Sequence, residues 1–470
     1  MGFRSLCATS LGALASLPVA KRSIPFAIAA GLVFSSTPLF AQNFNNNGFF
    51  GRAVGGVRID ADGVMRTITE EDASDALEQT RANLVGPTGE LQQSVELRLI
   101  SLKGIRNAVQ ESIATGKALP EEVMFLGGLT RVEKIFVYPE RNDIVLAGPA
   151  EPWTVGPNGT IVGAKSGKPS VHLDDLLNAF KTVESARQTG ISVSIEPTKE
   201  GSARLSHLLS QNRINAAQVN WQSLEAAMRQ AFGPQQVKLE GVAPDSHMAR
   251  VILAADYKMK LYGMNLVKAP VSGLPSYLEM VSNSASKNLQ SRWWMACDYS
   301  SIEHSKDKLA WQLTGKGIKT LTEVEQISSD GTRVAKGKAD PIAKKWADLF
   351  TSKLDELAVK EPVFGELRNV MDLCVVAAII ESQGLEDIAG CDLASLLGEK
   401  ASVQLNKVEF PTSLDPQCSF VRTAQGFLVS ASGGVMVDSW NVIASVSKEN
   451  DQLNTADAGK SWKNDQRVWQ

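Results

Sequence analysis

Glu151 stands between Ala150 and Pro152 in AGPAEPW, and further along HLDDLL sets His172, Asp174 and Asp175 at the head of an apolar-periodic run. Carboxylates and an imidazole can trade protons with a substrate, or hold a hard cation, if the chain folds the first stretch back over the second. A plainer role competes, because Asp in a first helical turn is favoured by the helix dipole alone. A second polar group, Asp298, Glu303 and His304 in CDYSSIEH, reads as the turn after a strand. Asp372 is an unexpected charge in the apolar run NVMDLCVVAAII; Arg368, four residues earlier on the same helical face, is its expected partner.

Among nine tryptophans, Trp153 in AEPWTVGP is the expected exposed indole, the place where the apolar face of a sugar would stack. Trp221 and Trp346 fall on apolar helical faces. The adjacent Trp293 and Trp294 must point to opposite sides if their segment is a strand.

Other signatures fail on spacing. In GAKSGKPS only three residues separate Gly163 from Gly167, and Pro169 follows Lys168, so a Walker loop is excluded. No Rossmann fingerprint, G-x-S-x-G elbow or C-x-x-C pair is present, and no cofactor or metal is expected. The spacing SxxK recurs at Ser284, Ser305 and Ser445, which makes it uninformative. Asn158-Gly159-Thr160 has the form of a glycosylation sequon and also of an ordinary hairpin turn.

These side chains need elements to hold them. Residues 57–66 read as a short hairpin around Asp62-Gly63, and EEDASDALEQTRANL as a surface helix; the stretch from Glu90 to Lys117 is helical only in parts. VEKIFVY and DIVLAG form a hairpin across Pro139 to Asn142. Leu173, Leu176, Leu177, Phe180 and Val183 then recur at helical spacing up to Gly190. The strand ISVSI, two helices, and strand-like runs at 236–239 and 249–254 follow. SRWWMACDYS and KLAWQLTGKGIKTLTEVEQI read as strands. Asp340-Pro341 and Glu361-Pro362 each open a helix, proline taking the first position where no hydrogen bond is lost, and the two helices are expected to form a hairpin. Strands and helices are thus mixed, which favours an α+β fold with a mixed or antiparallel sheet, plus a helical hairpin in the C-terminal half.

Residues 1–41 carry Arg4, Lys21 and Arg22, no acid, and an apolar stretch from Ile24 to Phe34, the layout of a removable export signal ending at Ala41. Beyond it the expected organisation is a flexible leader and short helix (42–83), an α+β domain (84–266), a second α+β domain (277–447) and a polar tail (448–470), with VKAPVSGLPS at 267–276 as the boundary. No run is long and apolar enough for a transmembrane helix. Losing the three cations of the signal moves the formal net charge from −3 to −6, and with no basic stripe nucleic acid is excluded as a partner. Cys297, Cys374, Cys391 and Cys418 would remain; in an oxidising compartment they allow three pairings, while Cys374 inside DLCVVAAII reads as a buried thiol.

AGPAEPW, HLDDLL, ISVSIEPTKEG, AADYKMK and PVFGELRNVMDLCVVAAII together resemble an uncharacterised family of exported planctomycete proteins, known as a domain of unknown function. The resemblance spans most of the mature chain, from the first helices to Gln383, and implies a periplasmic, cell-envelope or extracellular place; it supplies no activity and no catalytic residues. The leading expectation is therefore a non-catalytic exported protein that acts by binding or assembly, its partner an envelope protein or a glycan. The alternatives are a secreted hydrolase using Glu151, His172, Asp174 or Asp175, and a carbohydrate-binding module centred on Trp153.

Overall fold

In the computed structural model the stretch after Glu90 divides at Ser101: Val95–Ser101 is strand β1 and Leu102–Thr115 is helix α1. Ser101 makes the switch, since its hydroxyl accepts the Gly104 amide and itself donates to Asp143. The described residues are 77–458 except 79, 157–158, 212–219, 283–290, 328–329, 331, 398–409, 417–418, 424–425 and 430–432, with three short strands at 53–54, 57–59 and 65–67. The last two pair as the hairpin expected there.

β2 (Lys134–Tyr138) and β3 (Asp143–Ala150) form the predicted hairpin, with Asn142 at φ 52° closing the turn. Helix α2 (Leu173–Thr189) stops at Gly190, whose φ is 70° and where a Cβ would lie 2.9 Å from the Val437 carbonyl oxygen. β4 (Ile191–Pro197), α3 (Lys199–Gln211), α4 (Trp221–Phe232) and β5 (Gln235–Glu240) follow as read from the sequence. The strand expected at 249–254 is instead part of the N-terminal half of helix α5 (His247–Gly263). All of α5 is buried, so it shows no polar stripe, and its short apolar run imitates a strand. The Ser246 hydroxyl, accepting from the Ala249 amide, starts it.

β6 (Ser291–Asp298) is followed by β7 (Ser301–His304), β8 (Ala310–Thr314), β9 (Gly317–Ile327) and β10 (Arg333–Ala335). Glu303 and His304 therefore lie in a strand, not in the expected turn. Helices α6 (Pro341–Ser352), α7 (Leu354–Lys360) and α8 (Val363–Ser382) come next, then β11 (Ser413–Leu414), β12 (Gly433–Val437) and β13 (Ser447–Glu449). Asp340 caps α6 as anticipated, accepting from the Ile342 and Ala343 amides. The expected packing between the two proline-opened helices is seen where Phe350 and Phe364 meet edge to face at 5.3 Å.

Two large sheets result, of strand order β10-β9-β6-β12-β4-β5-β11 and β13-β7-β8-β2-β3-β1. Pairing is antiparallel except for β6 with β12 and β7 with β13, so the fold is α+β with mixed sheets. α5 lies on β4 and β12, flanked by α2 and α8. Among the described residues no helix is long and apolar enough to cross a membrane.

The boundary expected at 267–276 divides no sheet. The first sheet places β12 between β6 and β4, the second pairs β8 with β2, and residues 42–470 form one compact unit. Proline and glycine in VKAPVSGLPS mark a connection within this unit. The tail expected from 448 is corrected too: β13 pairs with β7, and Leu453 packs on Phe136, Val145 and Ala310 behind the second sheet. Cys297, Cys374 and Cys391 are buried free thiols, and Cys418, like Asn158, lies outside the described residues.

Candidate functional site

Three long helices, α2, α5 and α8, turn their N-terminal ends towards one another. His172 occupies the N-cap of α2, with Asp174 and Asp175 in its first turn; α5 begins with His247 and Arg250; Glu366 lies in the first turn of α8. His247 Nδ1 is 3.0 Å from both carboxylate oxygens of Asp175, and its Nε2 is 3.9 Å from Glu366 Oε1. The His172 ring stacks on the His247 ring at 4.8 Å and 10°, with Phe125 against its edge. Asp174 accepts from Asn178 at 2.6 Å and from the His247 amide at 3.4 Å. Asp175 is 2% exposed and Glu366 4%, whereas His172 and Asp174 keep part of their surface in solvent.

Burial sets the charges. It pushes the Asp175 carboxyl up to about 7, against the pull of His172 and Arg250, and Glu366 up to about 7, against His247. Asp174 rises to about 6 through burial and the neighbouring Asp175. Burial and the neighbouring His247 push His172 down to about 3; His247 is lowered as well, chiefly by burial. His247 therefore meets Asp175 as a neutral imidazole, with Asp175 and Glu366 each able to hold a proton near neutrality, more readily than as an imidazolium ion pair. Such a group can take up and release protons near neutrality. Among the described residues no set of three His, Cys, Asp or Glu side chains has metal-holding geometry.

The cluster unites His172, Asp174 and Asp175 as the sequence suggested, and leaves Glu151 out. Glu151 Oε2 accepts the amides of Lys165 and Ser166, so this carboxylate holds the turn after the hairpin of Trp153–Val155 with Ile161–Gly163. Trp153 is corrected as well: it is 3% exposed, packs on Phe125 and donates its indole N–H to Glu121, so no ligand stacks on it. In the second polar group Glu303 is bound by Asn450 and Lys448. Asp372 is fully buried and pairs with Arg131, at 2.8 and 3.1 Å, and with the Tyr299 hydroxyl at 2.6 Å, not with Arg368. The Arg368 guanidinium goes to Asp355 at 2.8 Å instead.

A second feature lies on the face of the first sheet turned away from α5. Alternation along β4 sends Ile191, Val193 and Ile195 inward and Ser192, Ser194 and Glu196 outward; along β6 it buries Trp293 and leaves Trp294 half-buried. Gly434 of β12 pairs with both Ser194 and Trp294. A Cβ there would collide with the Val193 carbonyl oxygen, so at this position the strand presents no side chain between Ser194 and Trp294, while Met436, two residues on, is exposed at the groove's edge. The result is a groove of about 210 Å³ lined by Ser192, Ser194, Glu196, Arg292, Trp294 and Glu325. The Arg292 guanidinium lies 4.8 Å over the Trp294 ring and 3.7 Å from Glu325; its buried Nε makes no hydrogen bond and faces Glu323 at 3.9 Å. Burial opposes the charge on Glu196, but Lys238 at 2.8 Å outweighs it and holds the carboxyl below its usual range.

His247, Arg250, Glu366, Arg292 and Trp294 in its groove role were not identified from the sequence. The one local signal was Ser246 before His247, an N-cap hidden by the strand-like run that follows it. Comparison with curated proteins finds no match, and comparison with solved structures finds none. A family model does match part of the chain, from Val193 on β4 through α5 to Tyr277, so it takes in Ser194 and Glu196 of the groove and His247 and Arg250 of the cluster. Over residues 193–277 this chain is similar to a family described as a protein of unknown function (DUF1598).

Proposed function

We propose that this is an exported protein of the cell envelope or extracellular space that acts by binding, and that the groove on the first sheet is where it binds. Export is supported by the charge and apolar layout of residues 1–41, and by the wider resemblance to exported planctomycete proteins. The observation that carries the binding site is the half-buried Trp294 indole with the Arg292 guanidinium over it in a concave face, where the buried Nε makes no hydrogen bond and has only Glu323 at 3.9 Å. A buried donor whose nearest acceptor lies beyond hydrogen-bond distance is left free to bond a ligand atom.

The lining offers both donors and acceptors: one guanidinium, two carboxylates and two hydroxyls. Hydroxyl groups serve either role, and the indole offers a flat apolar surface, so a neutral, polyhydroxylated ring matches this chemistry better than a strongly charged ligand. About 210 Å³ is below the range typical of drug-sized ligands, so one ring would enter and the rest would lie across the sheet. A glycan array with the purified protein tests this. Saccharide binding that falls at least about tenfold in Trp294→Ala is the expected result. A wild type that binds no saccharide, or a Trp294→Ala variant that binds equally well, overturns it.

A second reading, a secreted hydrolase, is favoured by the convergence of His172, Asp174 and Asp175 with His247 and Glu366. There His247 would exchange protons with substrate while Asp175 orients it. Turnover of a cell-wall, peptide or glycan substrate that is lost in His247→Ala would support that reading, and failure to detect turnover across those classes would reject it.

A further inference from the structure

We propose that Asp175, His247 and Glu366 form one proton-sharing relay that ties the first turns of α2, α5 and α8 together, and that loss of a proton from it at mildly alkaline pH loosens this junction. The inference stands on the geometry of the cluster and holds under either functional reading.

His247 is the bridge. Its Nδ1 faces both oxygens of Asp175 at 3.0 Å, and its Nε2 faces Glu366 at 3.9 Å, a gap that a side-chain shift of about 1 Å closes. Glu366 Oε2 is buried and has no hydrogen-bond partner. A neutral imidazole can donate through one nitrogen only and must accept through the other. When Nδ1–H donates to ionised Asp175, Nε2 accepts from the protonated carboxyl of Glu366. Moving both protons along the chain leaves Asp175 protonated and Glu366 ionised, with Nε2–H now donating. Either state carries one negative charge, which Arg250 faces from the same end of α5. If both carboxylates ionise, His247 can donate to only one of them, and a second buried anion is left without a donor.

The other titratable groups around the relay are His172 and Asp174 on α2, Asp245 before α5, and the Cys374 thiol on α8. The signs separate by pH. Asp175 and Glu366 bind protons more tightly in the folded chain, so their contribution is complete below pH 4 and is lost as pH rises through about 7. His172 and His247 bind protons less tightly when folded, so they lower stability only below about pH 6.5, their ordinary value. Above that pH the carboxylates act alone.

The test combines imidazole nitrogen NMR on the full chain with thermal unfolding between pH 6.5 and 8. His247 is expected to be a neutral imidazole at pH 7, and the wild-type Tm to fall by about 2 °C across that range. Glu366→Gln, which keeps a donor but cannot ionise, is expected to remove about half of the fall. An imidazolium at His247 at pH 7, or an unchanged fall in Glu366→Gln, overturns the relay. Should Glu366→Gln fail to fold, the protonation state of His247 in the wild type decides the matter alone.

Discussion

Asp372 sits wholly out of water on α8, and what keeps it there comes from far away in the chain: Arg131, which is 241 residues distant in sequence, and the hydroxyl of Tyr299. Removing one member of a buried pair strands the other, so Asp372→Ala is expected to cost about 3–5 kcal/mol in urea unfolding. Arg368→Ala should cost less, about 1–2 kcal/mol, because its partner Asp355 is 65% exposed and the loss is mainly that of packing by a side chain only 8% exposed. Equal losses in the two variants would contradict this assignment. Helical spacing put Arg368 within reach of Asp372, and that rule is blind to a partner brought in from another segment. The same limit applied to the cluster. His172, Asp174 and Asp175 were legible because they adjoin in sequence at one helix start, while His247, Arg250 and Glu366 join them only through tertiary packing. Trp153 misled for a related reason: flanking proline and glycine suggest exposure, yet Glu121 supplies a partner for its indole N–H and Phe125 a packing surface.

Elements were legible wherever local chemistry settles them. Asp340 followed by Pro341 is a cap with its proline, and the structure shows both amide bonds; Asp340→Ala should lower stability by about 1 kcal/mol, and Asp340→Asn by much less, in the same unfolding assay. Indistinguishable losses would argue against the capping role. The β2–β3 hairpin and the strand β4 were equally readable, since their alternation and turn residues are intrinsic to each segment. α5 was not, because a helix enclosed by a sheet on one side and by α2 and α8 on the others has no solvent face to imprint a period. Its charges are the surviving clue: Asp256 and Lys260, four residues apart, pair at 2.7 Å with neither exposed, a spacing that helices satisfy and strands do not.

On the scale of the whole molecule, chain order and spatial order diverge. β12 enters the first sheet between β6 and β4, strands that come much earlier in the sequence, and no signal in a proline-rich connection at 267–276 reveals such an insertion. A fragment of residues 84–266 lacks β6 and β12 and leaves β4 and α5 uncovered, so it should show no cooperative thermal transition; a fragment that unfolds cooperatively would contradict the single-unit architecture. The same late strand completes the groove, because Gly434 opens the space between Ser194 and Trp294. The most direct measurement of the binding account is an NMR titration of the full chain with soluble oligosaccharides, following the Trp294 indole N–H and the amides of Ser192, Ser194 and Gly434. Saturable shifts confined to these signals are the predicted result. Unmoved groove signals, or shifts gathered instead at His172 and His247, would contradict it.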